Sequence, residues 1–169
     1  MKNLRIYVIG GFFLLAIIVV IVAFIFSGNT SSNSNNPPKI DSSKSNREVA
    51  LSCTLDMYTK FHIHPNLQII INGQNQVIPA NIGIAQDCLR SIHTHDDTGK
   101  IHVESPVKRD FTLADFFAVW GKPFNRNQIL NSKADDQHVI KQTINGKKVQ
   151  DFENTIIKDG DQIVISYEH

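Results

Sequence analysis

The chain has little of what marks the common enzyme and nucleic-acid-binding classes. Of its 169 residues two are cysteine, two are methionine and one is tryptophan. It contains no GxSxG elbow, no P-loop and no dinucleotide Gly-rich fingerprint, so the usual sequence grounds for a serine hydrolase or a nucleotide enzyme are missing. It also has no run of Lys and Arg. From Arg47 onward there are 13 basic and 15 acidic residues, a net charge of −2 with neutral histidines. Such a surface does not attract a polyanion, and nucleic acid is not expected as a partner.

Charge is missing altogether from residues 6–26, an apolar run of 21 residues behind the basic leader that holds Lys2 and Arg5. At about 1.5 Å rise per residue the run makes about 31 Å of helix, the thickness of a bilayer's hydrocarbon core. It is too long for a signal-peptide core and lacks a small-x-small cleavage pattern. We therefore expect an uncleaved single-pass anchor, with residues 1–5 cytoplasmic by the positive-inside tendency and the remainder outside the cell membrane. Residues 27–47 are rich in Ser, Asn and Pro and cannot bury an apolar face, so they are expected to form a flexible linker. One β-rich extracytoplasmic domain remains, at 48–169.

Both cysteines fall in that domain. Outside the membrane an even pair reads as a disulfide, Cys53 with Cys88. Soft copper ligation by one or both is the alternative, although the close CxxC spacing of a metal or redox motif is missing.

What the chain does have is histidine, placed unevenly. Five of its seven histidines lie between residues 61 and 104. Side chains on a strand alternate between faces. His62 and His64 therefore oppose Phe61 and Ile63, His93 and His95 oppose Ile92 and Thr94, and His102 and Glu104 oppose Ile101 and Val103. A hairpin around Asp96-Asp97-Thr98-Gly99 that paired His95 with Lys100 would set His93 directly across from His102, close enough for two imidazoles to share one ion.

The other elements read as follows. Asn72-Gly73 and Asn145-Gly146 are hairpin signals. The first joins a β-branched strand at 67–71 to a return strand containing Val77 and Ile78, with Pro79 ending it. The second joins 139–144 to 147–150. Asp159-Gly160 is a turn before a last strand at 162–167. One helix begins at Thr112, with Asp115 in a box-like arrangement and Phe111 and Phe116 as a hydrophobic staple. Its stripe of Leu113, Phe116, Phe117 and Trp120 is core, and Gly121 and Pro123 stop it. The fold class expected is α+β, mostly antiparallel hairpins with one short buried helix.

Neutral imidazole is the commonest protein ligand for borderline transition metals. The candidate metal residues are His62, His64, His93, His95 and His102, with Glu104, as one site with a spare ligand or as two smaller sites. Copper or zinc is the expected ion. Asp96 and Asp97 are either acceptors for imidazole N–H groups or turn formers. His138 and His169 read as surface residues, although His169 could fold back as a ligand. The role expected is metal handling, or an accessory function beside a membrane metalloenzyme, with the membrane and a membrane protein complex as partners. Two other readings are a cupin-like metalloenzyme and a non-enzymatic envelope interaction module with a structural histidine network. The cupin reading lacks its carboxylate, because Gln68 stands in that place. An HxH metallohydrolase needs a larger scaffold than this domain provides.

Two resemblances add to these readings. The closing run from Asn145-Gly146 to Asp159-Gly160-Asp161-Gln162-Ile163 resembles the end of β-grasp proteins of the sulfur-carrier type, whose Gly-Gly tail is replaced here by Tyr167-Glu168-His169. The likeness implies topology and no carrier chemistry. The combined motifs HxHP, IPxxIGI, HTHDxxGxIHVES and FTLxxFFxVWG, between residues 61 and 124, resemble a family of small extracytoplasmic domains, many membrane-anchored, of archaea and some bacteria. That resemblance implies a domain identity and an exported setting, and no established activity comes with it.

Overall fold

The computed structural model describes residues 43–54 and 59–169. The expected anchor at 6–26 and most of the expected linker lie outside them. No helix among the described residues is long and apolar enough to cross a membrane.

Two Asn-Gly hairpins build the main sheet. β3 (Asn66–Ile71) turns through Asn72 and Gly73, φ 51° and 78°, into β4 (Gln74–Gln76). β12 (Val139–Ile144) turns through Asn145 and Gly146, φ 53° and 77°, into β13 (Lys147–Val149). Positive φ at both central positions is what a type I′ turn requires. The first return strand differs from the pattern-based expectation. Gln74–Gln76 pairs with Ile69–Ile71, while Val77 stands 69% exposed and Ile78 is buried. An edge strand needs only backbone partners on one side, so polar residues serve there.

β14 (Gln162–Glu168) lies between the hairpins, antiparallel to β12 and parallel to β3, giving the order β13-β12-β14-β3-β4. A parallel pair needs a long crossover, and the chain from β4 to β12 supplies the helix and the segment with His93, His95 and His102, while His62 and His64 precede β3. A last strand set between two hairpins, with a helix between them in sequence, is the β-grasp order to which the closing run points. Alternation along β14 buries Ile163, Ile165 and Tyr167.

The helix, α2 (Leu113–Trp120), starts where Asp115 accepts from the N–H of Thr112 (2.9 Å) and ends at Gly121 with φ 70°. Leu113, Phe116 and Phe117 join Leu67, Ile69, Ile163 and Ile165 in one core cluster, while Trp120 is half-buried at its edge. Asp115 is itself buried and pairs with Arg47 (2.7 Å) on α1 (Asn46–Leu51), a helix capped by a Ser45–Glu48 box. α1 thus takes in Asn46 and Arg47, the last two residues of the stretch read as linker.

Three small sheets surround this body. β1 (Cys53–Thr54), β6 (Cys88–Arg90) and β5 (Ile84–Ala85) form one, and β9 (Phe124–Asn125), β10 (Gln128–Ile129) and β11 (Ser132–Lys133) form another. The third, β2 (Phe61–Ile63), β8 (His102–Ser105) and β7 (Ile92–His93), carries the histidines.

Candidate metal centre

The third sheet has an apolar side and an imidazole side because three short strands share one register. β8 is in the middle. Val103 pairs with Ile63 on one flank and Ile92 on the other, and all three are buried. On the opposite face His62 pairs with Glu104, and His93 pairs with His102. Continuing the β2–β8 register by one residue sets His64 opposite His102.

Backbone ties hold this sheet against the main one. The N–H of His64 donates to Asp159 Oδ1 (2.8 Å), that of Ile101 to the Pro65 carbonyl (2.9 Å) and that of Leu67 to the Gly99 carbonyl (2.9 Å). His95 does not pair with Lys100 as the simple hairpin would have it. Lys100 bridges Asn66 instead, and His95 belongs to the loop that precedes Gly99. His93 faces His102 all the same.

Thr94, just after β7, and Arg90, at the end of β6, set the pose of the HTH segment. Thr94, fully buried, donates its hydroxyl to the Pro79 carbonyl (2.8 Å) and accepts from the Ile82 N–H (3.1 Å). The Arg90 carbonyl, 3.0 Å from His93 Nδ1, can only accept, so Nδ1 carries the proton and Nε2 keeps its lone pair when His93 is neutral. Burial, the largest influence on His93, lowers its pKa and keeps it neutral. That lone pair lies 3.2 Å from His95 Nε2. Two nitrogens on a tetrahedral ion with bonds of about 2.0 Å stand about 3.3 Å apart. The His93–His95 pair has that spacing.

His102 is the hub. Its ring centre lies 4.6 Å from His64, 5.8 Å from His62, 4.5 Å from His95 and 5.5 Å from His93. Desolvation first, then the neighbouring His95 and His64, pushes its pKa down to about 4. A neutral His102 therefore persists into acid, in the state that binds metal. Its Nδ1 is buried and makes no hydrogen bond among the described residues. A buried polar atom left unpaired costs free energy unless something coordinates it.

Ligand atoms of His62, His64 and His102 lie within 4.8 Å of one another, as do those of His93, His95 and His102. The five expected histidines are thus brought together, as two trios that share His102, and either trio could hold a metal ion. Glu104 is in neither trio. It accepts from His62 Nε2 (2.9 Å), leaving Nδ1 as the lone-pair nitrogen of a neutral His62, the usual role of a carboxylate behind a ligand imidazole. Asp96 accepts from the Thr98 N–H and hydroxyl, bonds that hold its carboxyl below the usual range, so it builds the turn. The cluster is open on one side, since His62, His64 and His95 are exposed while His93 is buried.

Cys53 and Cys88 form a disulfide, with Cα atoms 4.8 Å apart, which removes both thiolates as metal ligands. The bridge secures β6, the strand that supplies the Arg90 carbonyl. His138 and His169, read as surface residues, meet one another. Their ring centres are 4.1 Å apart, His138 stacks on Tyr167, and its Nδ1 donates to Asp135 (2.9 Å).

Sequence reasoning missed Arg90, Thr94 and two glycines. A Cβ on Gly83 would stand 2.4 Å from the Ile92 carbonyl oxygen, and one on Gly99 would stand 2.3 Å from that of Leu67. The signal available was positional for Gly99, in the loop between β7 and β8, whereas β5 and β6 separate Gly83 from β7 in the chain.

Comparison of the chain with protein-family models, with curated proteins and with solved structures finds no match.

Proposed function

We propose that this chain is a membrane-anchored extracytoplasmic protein that binds copper or zinc through its histidine cluster and handles the ion at an open, exchangeable site. One observation carries the reading. His93 is locked by the Arg90 carbonyl into the tautomer that presents Nε2, and that nitrogen stands 3.2 Å from Nε2 of His95 beside His102. A neutral His95 can donate its Nε2–H across that gap, but a purely hydrogen-bonded surface leaves the buried Nδ1 of His102 without a partner among the described residues. The ion is borderline in softness, because the donors are imidazoles and the cysteines are bonded to each other. Cu(II) leads such a donor set in affinity, with Zn(II) behind it. Exposure of three of the five rings suits uptake and transfer more than a closed structural site.

The test is metal content. The full chain, purified without a polyhistidine tag and dialysed against Cu(II) or Zn(II), retains at least one ion per molecule. Replacing His93 and His95 together by alanine abolishes retention at the His93-His95-His102 trio and lowers the total. A wild-type chain that retains no metal and shows no thermal shift with either ion sinks the proposal. In that case full folding in chelator, with partner binding that changes as the histidines protonate, would favour an interaction module.

A further inference from the structure

The two trios meet at one ring, and sheet geometry decides what that sharing can mean. Neighbouring strands lie about 4.8 Å apart, so the outer strands of a three-stranded sheet are separated by about 10 Å. An ion with bonds of about 2.0–2.3 Å reaches only donors within about 4.6 Å of one another. One ion therefore cannot take nitrogens from β2 and β7 alike unless their side chains lean in to a single point. They do not converge that far: among the described residues the ligand atoms within 4.8 Å of one another form His62-His64-His102 and His93-His95-His102, not one group of five. His102 is on the middle strand, and its Nδ1 is buried without a hydrogen-bond partner. Imidazole has two ring nitrogens at opposite edges, and either can bind a metal.

We infer that the cluster is a two-ion centre in which His102 is shared, giving one ring nitrogen to an ion held with His93 and His95 and the other to an ion held with His62 and His64. The inference rests on the metal-binding reading above and adds stoichiometry and a bridge. The inner ion lies between buried His93 and exposed His95, whereas the outer ion is bounded by the exposed His62 and His64. Use of both nitrogens requires the ring N–H bond to break heterolytically. The proton goes to water and the electron pair left on nitrogen forms the second metal bond, with no change in oxidation state. Glu104, accepting from His62 Nε2, directs the other nitrogen of that ring to the outer ion. The two positions differ in exposure by one ring, so the outer one exchanges with solvent or a partner faster than the inner one.

Titration of the full chain with Cu(II) alone tests this, with bound copper and the electron paramagnetic resonance signal both measured. Two Cu(II) ions joined through one imidazolate couple their spins. The signal is expected to grow over the first equivalent and to fall over the second, with two ions bound at the end. His64→Ala, at an exposed position, reduces the bound copper from two to one and leaves an uncoupled signal. His102→Ala, with its fold checked by circular dichroism, removes the coupling. Two bound ions with simply additive signals overturn the shared ring. One bound ion in the wild type overturns the two-ion centre and leaves the metal-binding proposal standing. No bound copper overturns the two-copper centre, and no retained zinc either overturns the metal-binding proposal with it.

Discussion

His93 and His102 face one another across an antiparallel pair, with ring centres 5.5 Å apart and planes only 14° from parallel. Burial desolvates both rings and lowers both pKa values, which favours the neutral form of each.

That relationship sets a pH dependence. His102 has its folded pKa lowered from 6.5 to about 4. Between those values the unfolded chain binds more protons than the folded one, so stability rises with pH. The contribution is fully present above pH 6.5 and is lost as pH falls toward about 4, with His93 adding in the same sense. Thermal melts of metal-free protein across this window should show Tm falling by roughly 5 °C, a shift that about 1 kcal/mol produces in a domain of this size. His102→Phe should flatten the slope. An unchanged slope in that variant would show that other groups carry the titration.

Gly99→Ala should be among the most damaging single changes outside the core. The position has φ 84°, and the new Cβ would meet the Leu67 carbonyl oxygen at 2.3 Å. Neither the backbone conformation nor the space suits an L side chain. A loss of about 2–4 kcal/mol in chemical denaturation is expected. Gly73→Ala also has positive φ but nothing within 4 Å, so it should cost less, about 1 kcal/mol.

Reducing the Cys53–Cys88 bridge should weaken metal retention as well as the fold. The bond closes a separation of 35 residues, which corresponds to roughly 3–4 kcal/mol in the chain-entropy model. It also secures the strand whose Arg90 carbonyl orients His93. Zinc dissociation from a Cys53→Ser, Cys88→Ser double variant should be faster than from an equally destabilised Leu113→Ala variant. Equal rates would show that the bridge acts on stability alone.

Asp115 should matter more than its partner Arg47. The carboxylate is buried, accepts from the Thr112 N–H and meets the Arg47 guanidinium, which is 45% exposed. Asp115→Ala removes the cap and strands a half-buried N–H, a cost of about 1–2 kcal/mol. Arg47→Ala leaves the cap in place and should cost about 1 kcal/mol or less. Urea titration of the two variants compares them.

The parts of this molecule legible in the sequence were those governed by short periods. Alternation placed His62, His93 and His102 on one face, and two Asn-Gly pairs placed the turns of the main hairpins. The capping box and staple placed the start of α2. Three things were not legible. The return strand Gln74–Gln76 is polar because it lies at an edge, so burial left no pattern to read. The parallel β3–β14 pairing depends on contacts about a hundred residues apart. The acceptor that orients His93 is a backbone carbonyl, which every residue carries, so no residue type at position 90 could announce it.

The place of β14 has a consequence for the order of events during synthesis. It is the last described strand to be made, yet it occupies the middle of the main sheet, between β3 and β12. Until it arrives, β3 lacks its parallel partner, and the Asp159 that anchors His64 has no settled position. Closing so long a loop is slow compared with forming the local hairpins. A nascent chain therefore displays all five histidines well before it can arrange them. On the proposed reading, an ion bound at that stage would be held by an unfinished set of donors, whose spacing is completed only when the final strand and Asp159 are in place.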